Sequence, residues 1–109
     1  MIVVVSKFLT HKGIRGLTLF PFIFISNRAD LMDEGLLNHE KIHIRQQLEL
    51  FVLPFYVWYV LEFFLLWMRF KDKNKAYRNI SFEREAYSNE KNISYIKSKK
   101  IWSFLKYLN

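Results

Sequence analysis

The chain has 109 residues, of which 51% are hydrophobic and 18% aromatic, with three glycines. That length suits one domain over 1–109, and that composition is too apolar for a disordered chain. Cysteine is absent, which excludes disulfides and thiolate zinc sites and leaves any metal to histidine and carboxylate, while the formal charge of +7 points to an anionic partner or a solvated basic surface. Basic residues are spread along the chain, with a looser cluster at Lys91, Lys97, Lys99, Lys100 and Lys106. No nucleic-acid-binding motif accompanies them, so an anionic membrane surface is the expected partner and nucleic acid is not.

Residues 2–9 are β-branched and aromatic and read as a strand. Their apolar start is short, lacks a charged beginning and has no small-residue cleavage site, so it does not read as a signal peptide. Thr10 to Gly16 holds two glycines and marks a turn. His11 sits in it as an exposed histidine, since nothing nearby has ligand spacing. Leu17 to Ser26 reads as a second strand, with Pro21 at an edge or a bulge. The expectation is a β-hairpin over 2–26, whose edge either packs into the core or holds an extended peptide by β-addition. Asn27 to Asp30 is a turn, and Leu31 to Leu37 a short helix or loop with Asp33 and Glu34 in solvent. Asn38 is the expected cap of the next helix, which puts His39 in its first turn.

The segment beginning at Asn38 contains His39-Glu40-Lys41-Ile42-His43. On a helix, residues four apart lie one turn above each other, so His39 and His43 present two imidazoles to one point. That suits a tetrahedral Zn²⁺. Glu40 projects beside the metal, where it takes a proton from water. Gln46, Gln47 and Leu50 continue the same face. Exposed helices also carry His and Glu by chance, but two of the three histidines in the chain fall in this register.

Residues 50–68 contain one ionisable group, Glu62. As helix they span ~28 Å, close to a bilayer core of ~30 Å. Against a plain crossing stand Tyr56, Trp58 and Tyr59 at mid-span and Pro54 in the first third. Lys71 to Lys75 is a charged turn. Ala76 to about Tyr95 reads as a helix carrying Glu83-Arg84-Glu85-Ala86-Tyr87. The tail, 97–109, spaces Ile101, Phe104, Leu105 and Leu108 as an amphipathic helix with Lys99, Lys100 and Lys106 toward water or lipid headgroups.

His-Glu-x-x-His followed some tens of residues later by Glu83-Arg84-Glu85-Ala86-Tyr87 resembles the gluzincin zinc peptidases. The nearest pattern is that of the membrane prenyl-protein peptidases and the minigluzincins, in which a helix carries Glu-x-x-Ala-Asp. The resemblance covers the order of elements over roughly 17–90. It implies Glu83 as third ligand with Ala86 at the small position, and Glu85 competes for the ligand role. Tyr87 stands where the family has an Asp that orients a ligand histidine; the phenol itself or Glu90, one turn on, are the alternatives. Tyr77 and Tyr87 are the options for a transition-state stabiliser.

The expected fold is α+β and mostly helical, with the metal-site helices over 38–95. The expected function is a zinc-dependent hydrolase acting on peptides or proteins, with Zn²⁺ on His39, His43 and Glu83 and with Glu40 catalytic, associated with the cytoplasmic side of a membrane. The alternative is a non-catalytic membrane-associated structural or interaction protein. The zinc site constrains the apolar stretch. One straight helix from His43 to Phe70 would run ~40 Å, more than the ~33 Å by which the chain from Phe70 can return to Glu83. A sharp break near 51–56 is therefore expected, at Pro54, and no crossing.

Overall fold

The computed structural model describes residues 2–11 and 14–108, with the side chains of Thr10 and His11 outside that description. The expectation of an exposed His11 side chain, and the Lys12-Gly13 part of the expected turn, lie outside the described residues. The N-terminal region is a three-stranded sheet in the order β1–β3–β2. Strand β1 is Ile2–Val5, β2 is Gly16–Leu19 and β3 is Phe22–Ile25, with a short helix α1, Phe8–His11, after β1. β1 runs parallel to β3, pairing Ile2 with Phe22 and Val5 with Ile25. β2 runs antiparallel to β3, pairing Gly16 with Ile25 and Leu19 with Phe22.

The stretch read as one second strand is thus itself a hairpin, turned at a cis Phe20-Pro21 bond. Proline ends β2 because it has no N–H to continue the ladder. Central strand β3 alternates faces, and its inward Ile23 and Ile25 are fully buried against Ile44, Leu36 and Leu37.

The first long helix, α2, covers Glu34–Glu49. It starts a turn earlier than expected because Asp33 is its cap, accepting from Leu36 N at 3.0 Å. Asn38 is therefore inside the helix. Its buried amide donates to Glu90 O at 2.8 Å and to Asn92 O at 3.0 Å, with Asn89 O at 3.1 Å.

The break after α2 falls where expected. Phe51 and Val52 take positive φ values of 59° and 66°, and helix α3, Leu53–Phe70, starts with Pro54 in its first turn. Proline belongs there because its missing N–H is one that has no intrahelical partner anyway. α3 is long and apolar enough to cross a membrane by length and composition. Only Phe55 and Leu66 of it are fully buried.

The helix expected over 76–95 is two helices, α4 (Lys73–Asn79) and α5 (Ser81–Asn89), split at an extended Ile80 with ψ 135°. Ile80 is fully buried beside Phe55, Ala76, Phe82 and Phe104. Phe82 lies with ring centroids 4.4 Å from both Phe55 and Phe104. The split lets Glu62 reach the start of α5, where its carboxylate accepts from Ser81 N and Ser81 Oγ, both at 2.7 Å. The sole acid of the apolar helix is thereby the cap of the glutamate helix.

The tail departs from the expected amphipathic helix over 97–109. It is a short helix α6, Tyr95–Ser98, then an irregular link and a 3-10 turn at Ser103–Tyr107. The cause is Lys99, which faces inward: its Nζ lies 2.9 Å from both oxygens of Glu49 and 3.6 Å from Glu85 Oε2. Glu49 also accepts from Trp102 N at 3.1 Å, and Trp102 sits at φ 58°.

Glu62→Ala leaves the N–H and hydroxyl of buried Ser81 without their acceptor. It is expected to cost about 1–3 kcal/mol, read as a fall in urea midpoint at unchanged slope.

Candidate metal centre

His39 and His43 are buried on the face of α2 that meets α5, and Glu83 is buried in the first turn of α5. His39 Nε2 and His43 Nε2 stand 3.2 Å apart, and each is 3.1 Å from Glu83 Oε1. These three residues form a group able to hold a metal ion. Ligands ~2.0 Å from a tetrahedral ion lie ~3.3 Å apart, close to the triangle found.

The donor chemistry supports the same reading. His39 Nδ1 lies 2.8 Å from Glu90 Oε1. An ionised carboxylate only accepts, so Nδ1 carries the hydrogen and Nε2 is left as a lone pair. His43 Nδ1 lies 2.8 Å from Gln46 Oε1, while Gln46 Nε2 donates to Phe82 O at 3.1 Å and Glu85 Oε1 at 2.8 Å. Gln46 Oε1 is thus fixed as the acceptor, and His43 Nε2 is also a lone pair. Two imidazole lone pairs and a carboxylate oxygen converge in a buried spot, an arrangement that needs a cation or a proton at its centre.

The electrostatics show that need. Burial works against a charged His43, but Glu83, with help from Glu40 and Gln46, outweighs it and holds the imidazole up at about 9. Burial likewise opposes the Glu83 carboxylate, yet His43 and His39 keep it well below the usual carboxylate range. The other oxygen of Glu83 accepts from Tyr59 OH at 2.7 Å, which fixes the carboxylate's rotation.

Of the two glutamates, Glu83 meets the histidines and Glu85 does not. Glu85 is fully buried behind Gln46, accepting from Tyr95 OH at 2.6 Å and from Ser103 Oγ. Tyr87 does not orient a ligand by hydrogen bonding. Its ring packs edge-on against His39 at 4.4 Å and its hydroxyl pairs with Tyr77 OH at 3.2 Å. Glu90 takes the orienting position instead. The sequence pattern does not mark Tyr59 for this contact, because at mid-helix in an apolar run it reads only as an aromatic out of place in a membrane; its hydroxyl is the one signal.

A cleft of about 730 Å³ opens beside the cluster, lined by β2, α2 and the rims of α3 and α5. Glu40 is buried in its wall. Thr18 Oγ1 on β2 donates to Glu40 Oε1 at 2.7 Å. A Cβ at Gly16 would lie 3.1 Å from Glu40 Oε2, so glycine leaves that oxygen its place. The outer edge of β2 is partly engaged: Gln47 Nε2 donates to Thr18 O at 3.0 Å, and Gln47 Oε1 accepts from Phe20 N at 2.8 Å. At these two positions β2 meets its own helix rather than an added strand. At the cleft mouth Arg15 pairs with Asp30 at 3.0 Å and Asp33 at 2.8 Å.

No protein-family model, curated protein or solved structure matches this chain.

In a metal titration, His39→Ala and His43→Ala are each expected to abolish tight binding, and Glu83→Ala to weaken it at least tenfold. Glu85→Ala should weaken it only mildly, because it acts through Gln46. The reverse order for the two glutamates would make Glu85 the ligand.

Proposed function

We propose that the chain is a zinc-dependent hydrolase acting on peptides. The observation that carries this is the convergence of His39, His43 and Glu83 in the wall of an open cleft, with Glu40 alongside. Two imidazoles and one carboxylate suit zinc, which His39, His43 and Glu83 would hold in the wall of the cleft. When bound, zinc supplies a Lewis acid that polarises a carbonyl and acidifies water.

The chain's own residues divide the remaining work. Glu40, positioned by Thr18 and given room by Gly16, takes the proton from attacking water and passes it to the leaving amine. Tyr59, Glu90 and Gln46 hold the three ligands in orientation. Tyr77 stands at the cleft. Desolvation and the nearby Glu83 carboxylate push its phenol up, so it stays protonated and donates to an oxyanion. Tyr87 supports Tyr77 through their shared hydrogen bond.

The second reading is a membrane-associated structural or interaction protein without catalysis. The exposed apolar face of α3 favours the membrane part of it, which both readings share. The net charge of +7 suits the anionic cytoplasmic side. Stoichiometric zinc in the gently purified chain, with cleavage of a peptide library, separates the two readings.

Glu40→Gln is expected to lower hydrolysis by about a thousandfold or more, at the level of a lost general base, with zinc content unchanged. Full activity in that variant would remove Glu40 from the mechanism. Gly16→Ala, which crowds Glu40 without touching a ligand, should lower kcat while zinc affinity holds.

A further inference from the structure

α3 is two-faced. One side carries Phe55, Tyr59 and Glu62 into contacts with Phe82, Glu83 and Ser81 of α5. The other side shows Leu53, Val57, Leu61, Phe64, Leu65 and Met68 to the outside, with Leu53 73% and Met68 71% exposed. These positions follow one helical face from Leu53 to Met68 of α3, a stripe of ~23 Å. Along it runs an open apolar groove of about 810 Å³ between Leu53 and Arg69, with Leu108 of the tail as one wall.

Apart from Glu62, which lines the groove, and Asp72, the charged residues around this face are basic. Arg69 ends the groove, and Lys71, Lys73 and Lys75 follow it. Lys73 Nζ sits 4.7 Å from the Trp67 ring and Lys75 Nζ 4.6 Å from the Phe70 ring. Lys106 lies in the tail between the exposed Leu105 and Leu108. Among the described residues no carboxylate forms an ion pair with any of these five cations. The neighbouring acids are engaged elsewhere, Glu62 with Ser81 and Asp72 with the N–H groups of Asn74 and Lys75.

We propose that α3 lies in the plane of one anionic lipid leaflet, its apolar face among the acyl chains and its basic C-terminal end against the phosphates. A face this apolar, rimmed by cations, has the chemistry of an interfacial helix. A crossing helix does not suit what packs on the other side. At mid-helix Tyr59 and Glu62 are bonded to Glu83 and Ser81 of α5, and those polar groups would then lie at bilayer depth. This deepens the membrane part of the reading above and does not depend on the metal.

The test uses the purified full chain and vesicles of phosphatidylcholine alone or mixed with phosphatidylglycerol. Flotation should show binding to the mixed vesicles, at least tenfold tighter than to the neutral ones and weakening as salt rises. The double variant Leu61→Glu and Leu65→Glu should lose on the order of a hundredfold in partition, given what two buried leucines contribute. Circular dichroism and melting of that variant should match wild type, because both positions are exposed. Since the chain has no cysteine, single labels at Leu53→Cys, Leu61→Cys and Met68→Cys report depth by lipid-borne quenchers. Equal shallow depth at all three is the expected result. Graded depth from one label to the next would overturn the proposal in favour of a crossing helix. Absence of vesicle binding, equal binding to neutral vesicles, or a dimer in solution that shields the three labels would each overturn it as well. Zinc content measured on the same samples keeps a failure here separate from a failure of the hydrolase reading.

Discussion

Everything in the structure is arranged around one oxygen, Oε1 of Glu83, lying 3.1 Å from two imidazole nitrogens in a buried site. A carboxylate in such a place is costly unless positive charge and hydrogen bonds compensate it. The compensation comes from two directions, the histidines of α2 and the phenol of Tyr59 on α3, while Glu62 fixes the start of α5 through Ser81. Moving any of these helices relative to the others would separate a buried charge from its partners. The geometry of the His39-His43-Glu83 cluster and the helix packing are therefore one constraint, which is why a chain this short keeps so many polar side chains inside.

That constraint also explains the double use of α3. Its inner side supplies Phe55 and Tyr59 to the core and to Glu83. Among the described residues α4 and α5 pack on the inner side, and the tail reaches the outer groove only at Leu108. The backbone breaks at Phe51 and Val52, so that α3 turns away from α2 instead of extending it.

How much of this is legible in the sequence depends on range. The register of His39 and His43 is local, set by helix periodicity, and the structure keeps it. The break before α3 is legible because Pro54 and the length of chain between His43 and Glu83 both demand it. The likeness of the glutamate stretch to a known pattern singles out Glu83, and its place two residues from Glu85 means that only one of them can face the histidines. What escapes is non-local or hidden by uniform composition. Leu17 to Ile25 is apolar on both sides of Pro21, so nothing in the pattern marks two strands instead of one. Asn38 looks like a helix cap until Asp33 takes that role and the carbonyls after α5 take its amide. Ile80 splits one periodic stretch in two because a buried isoleucine and a distant glutamate favour the break.

Lys99 is the sharpest case, and it ties the tail to the metal centre. By composition it belongs with the solvated lysines around it. In the structure it is buried between Glu49, which also meets Arg45, and Glu85, which has no other cation beside it among the described residues. Glu85 holds Gln46, and Gln46 holds the Nδ1 of His43. A line of four side chains thus runs from the C-terminal tail to a ligand atom. Removing Lys99 would take the cation from the buried Glu85 carboxylate and disturb the acceptor that fixes Gln46, and with it the hydrogen bond that orients the His43 ring. The tail, which sequence alone casts as a surface appendage, is in this way part of what holds the site in register.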